Sequence, residues 1–190
     1  MQDIDFKKIK LIILDIDNTL TNSKLEISEY TKKIIKEIVD MGIKVVLCSG
    51  RTTEYTVEKS KLCNASPLVI SDNGTIIYDY KEEKVYKANY FSNDILEKII
   101  AVCQLNNVDY VFNTIKGRYR HKDNEHNEYI KNINLIESLE DIPGKITQIV
   151  INSKKASDLK KCYELIKSIN DIEITNTNLY SKKRKRILFL

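Results

Sequence analysis

The stretch Ile9-Lys10-Leu11-Ile12-Ile13-Leu14-Asp15-Ile16-Asp17-Asn18-Thr19-Leu20-Thr21 decides how the chain is read. Its apolar run is short and closed by a carboxylate, which predicts a buried strand over 9–14 and excludes a signal peptide or membrane span. In extended geometry alternate residues share a face, so Asp15 and Asp17 point the same way at the strand tip. Packing gives no reason for two converging carboxylates, and they repel unless a cation or a shared proton separates them. A hard cation such as Mg²⁺ takes oxygen ligands and would also neutralise a phosphate placed nearby. The plainer reading of Asp17-Asn18-Thr19 is an Asx-type turn.

Outward from that strand, apolar runs alternate with helical patterns as far as residue 80. Ser28 is an N-cap, Tyr30, Ile34, Ile35, Ile38, Val39 and Met41 recur at helical spacing, and Gly42 stops the helix. A second strand follows over 43–47, a helix over 53–63, a third strand over 68–70 and, after Asn73-Gly74, a short strand over 75–78. Two right-handed strand-helix-strand crossovers imply a parallel sheet with the ends of strands 9–14 and 43–47 side by side. A doubly wound sheet binds its ligand beyond those carboxyl ends. Cys48-Ser49-Gly50-Arg51 sits there beside the Asp15 motif. Ser49 brings a hydroxyl, and Gly50 lets backbone N–H groups approach an anion at a helix start; the natural ligand is a phosphate. The plainer reading of Ser49-Gly50 is a strand-to-helix corner, and Arg51 either serves the site or pairs with a surface acid such as Glu54.

Beyond residue 82 the character changes. Lys84–Tyr90 alternates like an exposed strand, 94–106 is an amphipathic helix, and 108–114 with 117–122 forms a hairpin. Pro143-Gly144 is a turn, and strand 146–151, helix 156–169 and strand 172–175 complete an α+β layer with antiparallel pairing. The expected division is therefore 1–82, 83–177 and a basic, then apolar, tail over 178–190. The formal charge of +4 resides in that tail, because removing Lys182-Lys183-Arg184-Lys185-Arg186 leaves 26 basic against 27 acidic residues. A general nucleic-acid surface is excluded on this count. Cys48, Cys63, Cys103 and Cys162 show no CxxC spacing, as expected of reduced thiols in a cytoplasmic protein. His121 and His126 stand five apart in a polar stretch, a spacing unsuited to a metal pair.

These motifs carry a resemblance. Asp15-Ile16-Asp17-Asn18-Thr19 resembles the first motif, DxDxT, of the haloacid dehalogenase (HAD) superfamily of phosphotransferases, and Ser49 its second. The wording GIKVVLCSGR followed by SDNGTIIYD is similar to the Cof-type sugar-phosphatase branch. The resemblance implies an α/β, HAD-like Rossmannoid parallel sheet core, present in part, with an inserted α+β cap domain. It implies a phosphatase of small phosphorylated metabolites such as sugar phosphates, with neither nucleic acid nor membrane as partner. Asp15 would attack phosphorus and form an aspartyl-phosphate. Asp17 would act as acid and base, and Asp15 with Asp17 would hold Mg²⁺. Ser49 and Gly50 would grip the phosphoryl group, and Asn73 would lie near the site entrance. Asn18 stands where Gly is usual, a position Asn tolerates. Tyr119 and His121, two apart on a cap strand, face the site or take ordinary surface roles.

The resemblance also implies a later Lys-Gly and a GDxxxD-like acidic motif. Neither follows Thr175, and Lys182 or Lys183 opens no helix, so the expectation is a truncated or frameshifted product, or a partner chain that supplies the rest. The tail reads as neither helix nor strand of this fold. Two rival readings are a non-catalytic remnant that binds Mg²⁺ or phosphate and a small HAD phosphatase completed by oligomerising. A receiver-domain reading, with Asp72 as phospho-acceptor, fits DxD and SGR poorly.

Overall fold

In a computed structural model the described residues are 8–124, 133–153, 155–176 and 185–189. They divide into two units, one through Ala88 and one from Asn89. The first unit runs β1 (Leu11–Asp15), α1 (Glu29–Asp40), β2 (Lys44–Cys48), α2 (Thr53–Leu62), β3 (Leu68–Ser71), β4 (Ile76–Asp79) and β5 (Lys84–Ala88), with its strands in the spatial order β1-β2-β3-β4-β5. The β1–β2 and β2–β3 pairs are parallel, and β3–β4 and β4–β5 are antiparallel.

Local signals placed these elements well. The Ser28 hydroxyl accepts the Thr31 N–H and so satisfies one of the four unpaired donors at the start of α1. Gly42, at φ +84, ends that helix in the left-handed region that glycine enters without strain. Ile12 and Leu14 on one face of β1 pack with Ile27, Ile35, Val45 and Cys63 into a small apolar core. On the other face Leu11 and Ile13 are about half exposed.

The second unit carries α3 (Asn93–Leu105), β6 (Asp109–Thr114), β7 (Gly117–His121), β8 (Ile133–Ile136), β9 (Gln148–Ser153), α4 (Ala156–Ile166), β10 (Ile174–Asn176) and β11 (Lys185–Phe189). Its sheet has the order β10-β11-β9-β6-β7-β8. All pairs are antiparallel except β7 with β8, which run parallel. Alternation along β6 and β9 sends Tyr110, Phe112, Ile149 and Ile151 into one core with Leu96, Ile99 and Cys103 of α3 and Leu159, Cys162 and Ile166 of α4.

Three expectations change. β5 pairs with β4, so the division falls after Ala88 instead of at residue 82. The expected tail is in part a strand: within 178–190, residues Lys185–Phe189 form β11 between β9 and β10, with Ile187 opposite Ile151, and the rest lies outside the described residues. Its sequence, Lys-Arg-Ile-Leu-Phe, conceals this because the pairing that stabilises it is with β9, more than thirty residues away. Tyr119 is not a surface residue; it is buried in the core with Phe112.

Candidate functional site

The loops that follow β1, β2 and β3 meet at the carboxyl ends of the parallel strands. The β1 strand ends at Asp15, and residues 17–20 form a turn. The Ile16 carbonyl accepts the N–H of Leu20 and of Thr21, both at 3.0 Å, and the Thr21 hydroxyl at 3.1 Å, which closes residues 16–21 into one helical turn. Asn18 takes φ +62 there, the left-handed conformation that its short polar side chain tolerates. Asp15 thus ends β1, and Asp17 opens the turn. The Asp15 carboxylate accepts the Thr19 hydroxyl at 2.9 Å. The Asp17 carboxylate accepts two bonds from Arg51, Nε to Oδ2 and Nη2 to Oδ1, each 3.0 Å. The counter-charge that Asp17 needs therefore comes from the loop after β2. Arg51 pairs with Asp17 and not with Glu54, and the contact holds its guanidinium firmly protonated.

The β2 loop is fixed from both sides. Ser49 is buried, its N–H donates to the Ile70 carbonyl at 2.9 Å, and its hydroxyl accepts the Arg51 N–H at 3.1 Å. That leaves the hydroxyl proton of Ser49 available to an incoming oxygen. The Arg51 carbonyl accepts the Asp72 N–H at 2.9 Å, and the Thr53 and Ser71 hydroxyls pair at 2.8 Å, so α2 and the end of β3 are joined. Asp72, Asn73 and Gly74 take φ +48, +57 and +90 in succession. Such strain persists only where surrounding bonds impose it, and here it sets the Asn73 side chain against Gly50. A Cβ added at Gly50 would meet Asn73 Oδ1 at 2.3 Å. The structure thus brings Ser49, Gly50 and Asn73 together, and Asp17 reaches the same loop through Arg51.

Cys48 stands opposite Asp15 across the β1–β2 pair. Burial, and then the Asp15 carboxylate, push its thiol up, so it is neutral at ordinary pH. Two residues escaped the sequence reading. Thr19 orients Asp15, and the only signal was its place in DIDNT. The Tyr55 ring, in the first turn of α2, lies 5.4 Å from the guanidinium of Arg51, which precedes that helix, and no spacing in the sequence signals the contact. Burial, and then Asp17, also raise the Tyr55 phenol.

The His121 ring is held by the Glu137 carbonyl and the Asp123 N–H, and His126 lies outside the described residues. All four cysteines are free thiols. Among the described residues no three His, Cys, Asp or Glu side chains form a metal-holding group, and no helix is long and apolar enough to cross a membrane.

A family model of haloacid dehalogenase-like hydrolases matches residues 12–186. The chain belongs to that family. The HAD-like chain is 38% identical over 78 residues to the 5-amino-6-(5-phospho-D-ribitylamino)uracil phosphatase YcsE of Bacillus subtilis, a match over 41% of this chain and 30% of that one. It spans about a third of the length of the first curated relatives it matches. A solved haloacid dehalogenase-like hydrolase from Bacteroides thetaiotaomicron superposes with a TM-score of 0.81 at 23% identity, over 96% of this chain and 71% of that one. A HAD subclass IIB sugar phosphatase gives 0.68 at 17% identity, over 94% and 69%. The α/β fold with a parallel sheet and an added α+β unit is thus that of HAD hydrolases.

Proposed function

We propose that the chain is a Mg²⁺-dependent phosphoric monoester hydrolase that acts through an aspartyl-phosphate on small phosphorylated metabolites such as sugar phosphates. The observation that carries this is the meeting of three loops at the sheet's carboxyl end: Asp15 pairs across the strands with Cys48, which the buried Ser49 and Gly50 follow, and Asn73 lies against Gly50. The relatives' names, a sugar phosphatase and a phosphatase of a phosphorylated ribityl compound, support the substrate class.

In this reading one Asp15 oxygen bonds to phosphorus as the P–O bond to the substrate's alcohol breaks, and Asp17, protonated on one oxygen while Arg51 holds the other, gives the alcohol its proton. Water then attacks phosphorus, its proton passes to Asp17, and the acyl-phosphate bond breaks to restore Asp15 and free inorganic phosphate. Ser49 donates to a phosphoryl oxygen throughout, where charge stabilisation matters most. Hard oxygen donors at Asp15 and Asp17 fit Mg²⁺, which keeps several waters and needs few protein ligands. The Asp15 carboxylate and the Asp17 carbonyl would hold it, since both Asp17 side-chain oxygens are bonded to Arg51. When bound, it neutralises charge on the phosphoryl group.

The test is hydrolysis of p-nitrophenyl phosphate by the purified chain with Mg²⁺, compared with EDTA and with Asp15→Asn. Turnover that both treatments abolish is expected; turnover equal to that of Asp15→Asn would refute the reading.

A further inference from the structure

The Arg51–Asp17 contact joins two loops 34 residues apart in sequence, yet the two side chains are 45% and 27% exposed and belong to no apolar core. An ion pair so open to water adds little to stability, which leaves its two-point geometry to be explained. Both nitrogens reach at 3.0 Å, one to each oxygen, so the carboxylate is held in plane and in direction. The guanidinium is itself held. Its residue's N–H donates to Ser49 Oγ, its carbonyl accepts from Asp72, and the Tyr55 ring lies 5.4 Å from it. Lys59 approaches the same ring at 5.2 Å, so the ring is flanked by two cations. Among the described residues the Tyr55 hydroxyl is buried and makes no hydrogen bond, so the ring, not the hydroxyl, is what the tyrosine contributes.

We propose that Arg51 is a positioning residue of the hydrolytic reaction: it holds both oxygens of Asp17 and so sets the direction in which that carboxylate meets the leaving alcohol and the attacking water. The proposal rests on the phosphatase reading above. Arg51 touches neither reacting atom in this scheme; it acts through Asp17. Misdirecting a proton-transfer group by about 1 Å costs about 100-fold in rate. A lysine cannot replace the guanidinium, because a point charge does not span two oxygens.

The test uses the full chain with p-nitrophenyl phosphate and Mg²⁺. Arg51→Lys and Arg51→Gln are each expected to lose about 10- to 100-fold in kcat with KM within about threefold, and to melt within a few degrees of the parent. Lysine should do no better than glutamine beyond about threefold. Millimolar guanidinium ion should restore part of the kcat of Arg51→Ala and none of that of Asp17→Asn. Arg51→Lys as active as the parent, a rise in KM at unchanged kcat, or a kcat loss matched by a collapse of the melting temperature overturns the positioning role and leaves the phosphatase reading standing. A parent chain that turns over no faster than Asp15→Asn overturns the phosphatase reading, and the role of Arg51 with it.

Discussion

Strands β1 and β6 each feed a sheet, but they are built differently. Along β1 only alternate residues are covered, whereas all six residues of β6 are buried. The contrast extends to their units: among the described residues the apolar cluster around Ile35 in the first has four buried members, and the one around Phe112 in the second fifteen. What the first unit has instead is a set of polar links between loops: Thr19 to Asp15, Arg51 to Asp17, Asp72 to Arg51 and Thr53 to Ser71. Hydrogen bonds fix direction, while apolar burial supplies most of the free energy. Chemistry and stability should therefore be separable by mutation, one unit at a time.

The largest expected effect is on chemistry alone. Asp15→Asn keeps the shape of an exposed side chain and its contact with Thr19, so the melting temperature should stay within a few degrees while turnover falls by about a thousandfold or more. A melting temperature that fell with the activity would break the separation. The opposite case is Phe112, 1% exposed in the second core and edge-on to Tyr110 with ring centroids 5.4 Å apart. Phe112→Ala should cost about 3–5 kcal/mol in urea unfolding, through lost burial and the cavity left behind. A cost below about 1 kcal/mol would show that the second unit does not depend on its core.

Much of this was legible in the sequence because it is local. The β1-α1-β2-α2-β3 alternation, the Ser28 cap, the Gly42 stop and the Ser49-Gly50 corner are each encoded within a few residues. What was not legible depends on partners far along the chain. β11 is a strand because β9 lies beside it, and its basic residues disguise the alternation. β5 joins the first sheet through β4, and β8 lies parallel to β7 with no turn signal between them. The Asp17–Arg51 contact was hidden for the same reason: it joins two loops 34 residues apart, and the sequence reading left Arg51 open between the site and a surface acid. Asn73 likewise shows more in the structure than in the sequence, through its +57 φ and its closeness to Gly50.

That closeness gives an intermediate effect. Gly50→Ala places a methyl where Asn73 Oδ1 stands, so Asn73 must turn away at a cost of about 1–3 kcal/mol. Its larger signature should be in binding: inorganic phosphate, measured as a competitive inhibitor, should weaken by about tenfold. Unchanged inhibition would remove Gly50 and Asn73 from the phosphate site.

The smallest effect tests the thin packing of the first sheet from within. Ile13 and Val46 are register partners on the same face of β1 and β2, yet Ile13 is 51% exposed and Val46 only 1%. If burial sets the cost, Val46→Ala should lose about 2 kcal/mol or more, and Ile13→Ala about 1 kcal/mol or less, although isoleucine gives up more atoms. Urea unfolding of the two variants gives the comparison directly. Equal losses would mean that Ile13 is covered in solution by something other than the described residues, and the contrast between the two sheets would then be one of partners and not of packing.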